Sequence, residues 1–307
     1  MKPIKGSIVA LVTPFHEDGS VNFEKLKELL DWHIANSTDG ILVLGTTGES
    51  STMTHEEDDE VARVTIAHVA HRVPVIVGAG SNCTQTAVEK GKRYADMGAD
   101  ALLMISPYYN KANRRGMIEH FRQVADVTSC PIILYNVPGR TGCSISEDVV
   151  AELSKHPNVC GIKEASGSIT YAARIARYVN DDFAMYSGND DMITSMLALG
   201  ASGVISVLAN VVPKQTHDIV ASWHAGDVKA SRDGQLKYLD LVQALFSEVN
   251  PIPVKAALNL MGKQVGGYRY PLCEMMPDTH EKLRKVMEEY GSVSYTHLRA
   301  HETRRHL

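Results

Sequence analysis

The sequence is poor in cysteine, and the five it has form no framework. Cys83, Cys130, Cys143, Cys160 and Cys273 are odd in number and contain no CxxC pair, which argues against a disulfide scaffold and for reduced thiols in a reducing compartment. Long apolar runs are missing too. The longest fall far short of the roughly 20 residues that span a bilayer, so no membrane segment is expected. The N-terminus enters an apolar pattern at Ile8–Val12 after only two lysines, without the long apolar stretch or small-residue cleavage site of a secretory leader. A cytoplasmic location is the resulting expectation. Positive charge is not in excess either: the net charge is -5 and the Lys and Arg residues are scattered, so nothing marks out a nucleic acid or an anionic membrane as partner. A small molecule is left as the natural ligand.

Against those absences, 44% hydrophobic and 22% charged residues are the proportions of a globular chain. A length of 307 residues suits one α/β barrel with an appendage better than two equal domains. Eight short apolar runs recur: Ile8–Val12, Ile41–Leu44, Val75–Val77, Ala101–Ile105, Ile132–Leu134, Val159–Ile162, Ala184–Tyr186 and Val204–Val207. They are continuous rather than alternating, as in parallel strands buried on both faces. Segments of helical period stand between them, including Phe23–Ala35, Glu56–Val69, Thr84–Met97, Gly116–Val127, Glu147–Leu153, Ile169–Val179 and Met192–Leu199. Eight such units predict an α/β fold, a (β/α)8 TIM barrel. After the eighth strand the period is helical only, through Pro213–Ala225, Val228–Phe246, Pro253–Met261 and His280–Tyr290.

The expected organisation is therefore a catalytic barrel over residues 1–226 and a small C-terminal helical domain over 227–293, divided at the Gly226–Asp227 turn signal. The last stretch, 294–307, carries three arginines against one glutamate and three histidines with no apolar stripe. It is taken as a non-family tail, expected to be disordered.

In a TIM barrel the chemistry sits at the C-terminal ends of the strands. The second strand ends in Gly45-Thr46-Thr47-Gly48-Glu49-Ser50, whose glycines allow backbone N–H groups near an anion while two hydroxyls point inward. It lacks the lysine of a P-loop, and an ordinary capped βα turn would look the same. The sixth strand reads Val159-Cys160-Gly161-Ile162-Lys163-Glu164. A lysine there is desolvated, which lowers its pKa and makes the neutral nucleophilic amine accessible, as Schiff-base chemistry requires. The fourth and fifth strands end in Ser106-Pro107-Tyr108-Tyr109-Asn110 and Tyr135-Asn136-Val137-Pro138-Gly139-Arg140-Thr141-Gly142. Phenols can relay the protons of a carbinolamine and enamine, and a guanidinium suits a carboxylate. Taken together these groups favour a carbonyl-handling site. His68 and His71 lack a third ligand nearby, so no metal is expected, and the acidic run Glu56–Glu60 belongs in a first helical turn.

These residues resemble the pyruvate-dependent class I aldolase and lyase superfamily of the dihydrodipicolinate synthases and N-acetylneuraminate lyases, from about Gly6 to Tyr290. The matching motifs are Gly45–Ser50, Tyr108–Asn110, Tyr135–Gly142, Gly161–Glu164, Ser187–Asp190 and Val204–Asn210. Arg140-Thr141-Gly142 brings the chain nearest to the dipicolinate branch. The resemblance implies a lyase that holds pyruvate as an imine on Lys163 and condenses it with L-aspartate 4-semialdehyde, in diaminopimelate and lysine biosynthesis, with no cofactor. It further implies that Thr47 and the Thr46 backbone region grip the pyruvate carboxylate and that Thr46, Tyr109 and Tyr135 relay protons. Arg140 would hold the aldehyde substrate, and the Gly188 and Ile205 backbones would shape the pocket.

Tyr109 would reach into a neighbouring subunit, which implies a functional dimer, commonly paired into a homotetramer as a dimer of dimers. The alternative enzyme of the same chemistry would cleave a sugar acid, such as N-acetylneuraminate or 2-keto-3-deoxygluconate, and a non-catalytic keto-acid sensor is the reading from another class. In the lysine-inhibited members a regulatory site corresponds to Ser50, Ser51, His55, Asn82 and Tyr108. Here Asp58 replaces a histidine of that site and Thr86 replaces a glutamate, so weak lysine inhibition is expected, with Asp58 offering a substitute carboxylate.

Overall fold

The eight apolar runs become eight strands: β1 (Gly6–Ala10), β2 (Gly40–Val43), β3 (Val75–Gly78), β4 (Ala101–Ile105), β5 (Ile132–Asn136), β6 (Val159–Glu164), β7 (Ala184–Ser187) and β8 (Gly203–Ser206). In the computed structural model, which describes residues 3–291, they pair in parallel in chain order and β8 closes onto β1, giving a closed barrel. The expected fold class is correct. Among the described residues no helix is long and apolar enough to cross a membrane. The expectation for 294–307 falls outside the described residues.

Side chains alternate along each strand, as the two-residue period dictates. Ile8, Leu42, Ile76, Leu103, Ile133, Tyr135, Tyr186 and Ile205 share one apolar cluster inside the barrel. Val9, Ile41, Val43, Val77, Leu102, Met104, Leu134, Met185 and Val204 join the larger cluster between barrel and helices. This two-sided burial is why the runs read as continuously apolar.

β6 breaks the alternation, and the break positions the key lysine. Ile132 pairs with Val159 but Ile133 pairs with Gly161, so one residue is extra on β6. Val159 and Ile162, three apart, consequently both face the helices. Without the bulge a two-residue period would turn Lys163 the same way as Val159, toward the helices; with it, Lys163 pairs with the inward Tyr135 and Tyr186.

Helices cover the outside, with boundaries set by local chemistry. Thr54 and Glu57 form a reciprocal capping box at the start of His55–Val69, and the Asn113 side chain accepts the Gly116 N–H at the start of Arg114–Ala125. Three expectations are corrected. Ile169–Val179 is an α-helix only to Ile175, followed by a 3-10 turn. Val228–Phe246 divides at Tyr238 into Val228–Lys237 and Leu239–Leu245, where the Tyr238 ring stacks on Tyr290. The last helix begins earlier, at Pro277, because a proline is well suited to the first helical turn. At the expected boundary Gly226 has φ 87° and Asp227 caps the next helix, which then packs along Pro213–His224.

Candidate active site

Lys163 lies near the C-terminal end of β6 and is 7% exposed. Its Nζ stands 4.6 Å from the centre of the Tyr135 ring. Its pKa is lowered to about 8, chiefly by burial, with the Asp190 charge opposing the shift and the Arg140 charge adding to it. At neutral pH an appreciable minority of the side chain is therefore the free amine. Tyr135 is held protonated by burial, with a Thr46 hydrogen bond and the Arg140 charge pulling the other way. A protonated phenol and a partly neutral amine lie side by side, the phenol next to the hydroxyl-bearing Thr46 loop.

That loop departs from the sequence reading in one respect. The amides of Gly48 and Glu49 turn back onto the carbonyls of Gly45 and Thr46 at 3.0 and 3.2 Å, so they are not available to a ligand. The value of Gly48 is space, since a Cβ there would stand 3.0 Å from the Leu44 nitrogen and 3.2 Å from the Leu11 carbonyl. Gly78 is needed for the same reason, because its Cβ would fall 2.1 Å from the Leu44 carbonyl oxygen. Glu49 takes a left-handed φ of 55° and forms a fully buried pair with Lys255 at 2.7 Å. The loop is thus clamped from behind by the C-terminal helices.

Thr46 borders a cavity of about 330 Å³ together with Tyr135, whereas Thr47 is buried and accepts a 2.9 Å hydrogen bond from Asn250 Nδ2. Arg140 sits on a short helix, Pro138–Thr141, at the exposed rim. Its Nη2 donates to the Asn250 carbonyl at 3.1 Å. Gly188 leaves room for the lysine stem, since a Cβ there would stand 3.1 Å from Lys163 Cε and 2.6 Å from Ala165 Cβ. Ile205 lies in the same inner cluster as Tyr135. Lys163, Tyr135, Thr46, Thr47, Arg140, Gly188 and Ile205 thus gather at the C-terminal end of the barrel.

The dihydrodipicolinate synthetase family model matches residues 3–290. The chain belongs to this family. It is 53% identical over 290 residues to a 4-hydroxy-tetrahydrodipicolinate synthase from Lachnoclostridium phytofermentans, covering 94% of this chain and 98% of the relative. It is 50% identical over 292 residues to the synthase of Thermoanaerobacter sp. strain X514, covering 95% and 98%. Among solved structures, the chloride-inhibited dihydrodipicolinate synthase of Acinetobacter baumannii complexed with pyruvate superposes with a TM-score of 0.92 at 40% identity, covering 95% and 100%.

Other positions in this dihydrodipicolinate synthetase family member sit apart from the lysine. Tyr109 is 90% exposed with a left-handed φ of 70°. Ser50, Ser51, His55, Tyr108, Asp58 and Thr86 line the same cavity as Thr46 and Tyr135. Asn82 is not among its lining residues; its carbonyl accepts from Asn110 Nδ2 at 2.9 Å. Of the Asp58 carboxylate, Oδ2 is already engaged by Lys90 and Ser50, while Oδ1 is buried without a protein partner. The residue is 1% exposed, paired with Lys90 at 2.6 Å, and bonded by Ser50 at 3.1 Å. Burial nonetheless raises its pKa, outweighing the Lys90 and Ser50 bonds.

Two residues of the site were not singled out from sequence. Asp190 is buried and accepts the Val207 and Leu208 amides at 3.0 and 2.9 Å; burial raises its pKa, with hydrogen bonds and Lys163 opposing. It lay inside the Ser187–Asp190 motif, which was the available signal. Asn250 is separated from Thr47 by 203 positions, and no local pattern announces it.

Proposed function

We infer that this chain is a Schiff-base lyase that condenses pyruvate with L-aspartate 4-semialdehyde to give 4-hydroxy-tetrahydrodipicolinate, the activity carried in the names of relatives about half identical to it. The observation that carries the chemistry is Lys163, buried against the Tyr135 ring with its pKa brought down to about 8.

In this reading the neutral Lys163 amine attacks the pyruvate carbonyl. Tyr135, kept protonated by burial, donates to the carbinolamine oxygen, which leaves as water. Loss of a C3 proton from the iminium gives an enamine, and its C3 attacks the aldehyde carbon of the second substrate. The amino group of that substrate then displaces Lys163 at C2, closing the ring and returning the free lysine; one water is released overall. Thr46 links Tyr135 to the next proton carrier, a role suited to Tyr109 of a second subunit. Thr47 binds the pyruvate carboxylate, and Arg140, lying at the rim with an outward guanidinium, binds that of the semialdehyde. Gly188 and Ile205 bound the pocket beside the lysine. This use of Tyr109 requires at least a dimer, and the proposed assembly is a homotetramer built as a dimer of dimers.

The competing sugar-acid reading has no need of a guanidinium at that rim. Arg140→Ala should raise the KM for aspartate semialdehyde by at least about tenfold while changing that for pyruvate far less, since a charge-assisted bond contributes roughly 1.5–3 kcal/mol. Initial rates with each substrate varied in turn check this, alongside assays with N-acetylneuraminate and 2-keto-3-deoxygluconate. Equal effects on both KM values, or faster cleavage of a sugar acid than condensation, would overturn the assignment.

A further inference from the structure

We infer that the Asn250 side chain is a positioning residue for the pyruvate end of the site, holding the Thr47 hydroxyl so that its proton faces the substrate carboxylate. This rests on the reading of Thr47 given above and deepens it. Asn250 is 5% exposed, Thr47 is 3% exposed, and the bond between them is buried. Its direction matters because a threonine hydroxyl has one proton to give and lone pairs to offer. Asn250 Nδ2 donates, so Thr47 Oγ1 accepts and its own proton stays available for another acceptor. A carboxylate in front of Thr47 is such an acceptor. A group that took the proton from behind would instead turn the oxygen lone pairs toward the carboxylate.

The same residue serves the other end of the site by a different atom. Its main-chain carbonyl accepts from Arg140 Nη2 at 3.1 Å. One residue, brought in by the C-terminal segment, therefore touches both groups assigned to carboxylates, through its side chain toward pyruvate and its backbone toward the semialdehyde. Asn250 Oδ1 is buried without a protein partner, so the amide is fixed through its nitrogen. Truncating the side chain removes the first link and spares the second, and this separates a positioning role from general damage to the fold.

The test is a kinetic cycle of Asn250→Ala, Thr47→Val and the double variant, with borohydride labelling of Lys163 at saturating pyruvate. Asn250→Ala should raise the KM for pyruvate by roughly tenfold, the scale of one lost buried hydrogen bond. The KM for aspartate semialdehyde should stay within about twofold, and labelling at saturation should persist. In the Thr47→Val background the Asn250→Ala change should add almost nothing, because the link is already gone. Should Asn250→Ala not fold, as judged by circular dichroism, Asn250→Asp takes its place in the cycle. It keeps the size but, ionised, can only accept from Thr47, so it should raise the pyruvate KM strongly, and by less in the Thr47→Val background, where only its charge acts on the carboxylate. A wild-type pyruvate KM in a folded variant, an equal rise in both KM values, or a full additional penalty on top of Thr47→Val would each overturn the inference. Wild-type enzyme that pyruvate does not label at Lys163 would instead overturn the functional reading and this inference with it.

Discussion

At the scale of single residues, the reaction needs one side chain to be a base and its neighbour an acid at the same pH. Burial supplies both from the same apolar surroundings, because it disfavours the charged form of each: it lowers the ammonium of Lys163 toward about 8 and keeps the Tyr135 phenol protonated. Removing the phenolic oxygen should leave the ring, and hence the packing against Lys163, in place. Tyr135→Phe is therefore expected to fold normally and to turn over on the order of 10²–10⁴ times more slowly, the usual loss for a proton-transfer group. Steady-state rates with a thermal melt decide it, and wild-type turnover would reduce Tyr135 to packing. Both residues were legible in the sequence, since each ends an apolar run. The inward direction of Lys163 was not, because it depends on a bulge that pairs Ile133 with Gly161, and strand register is set by two chains of contacts at once.

At the scale of elements, the helices His55–Val69 and Thr84–Asp96 are joined by the Lys90–Asp58 pair, which lines the cavity. The sequence placed Asp58 and Thr86 at a candidate effector site but could not reveal that one Asp58 oxygen is already paired with Lys90. That lysine lies 32 residues away on the next helix, beyond the reach of any local pattern. With Thr86 in place of a glutamate, free lysine lacks that carboxylate for its ammonium, and Asp58 is buried with its Oδ2 already shared by Lys90 and Ser50. Losing such a partner costs about 2–5 kcal/mol, and each ~1.4 kcal/mol is tenfold in affinity. Initial rates across a lysine titration should show little inhibition below millimolar concentration, and strong submillimolar inhibition would contradict this. The βα loop shows the same limit of sequence. Its Gly and Thr content was plain, whereas the clamp by Lys255 and Asn250 joins segments more than 200 positions apart.

At the scale of the whole molecule, the eight-fold βα pattern carried the barrel almost entirely, since strands buried on both faces must read as apolar runs. The differences lie at element ends, in the division of Val228–Phe246 where Tyr238 stacks on Tyr290, and in short helices such as Pro138–Thr141 that no apolar period announces. Quaternary structure is a different matter, because a single chain records only what it leaves uncovered. Tyr109 is 90% exposed, which suits a residue completed by a second copy. Sedimentation velocity at micromolar concentration should report a tetramer, and a fully active monomer would remove Tyr109 from the relay. The central claim, that Lys163 carries pyruvate as an imine, is tested most directly by borohydride trapping followed by peptide mapping. Pyruvate should mark the peptide containing Lys163, and at limiting pyruvate the rate should rise with pH, levelling above about 8 as the amine becomes neutral. Lys163→Arg, which offers no neutral amine, should not be labelled; undiminished labelling of that variant would move the chemistry to another residue.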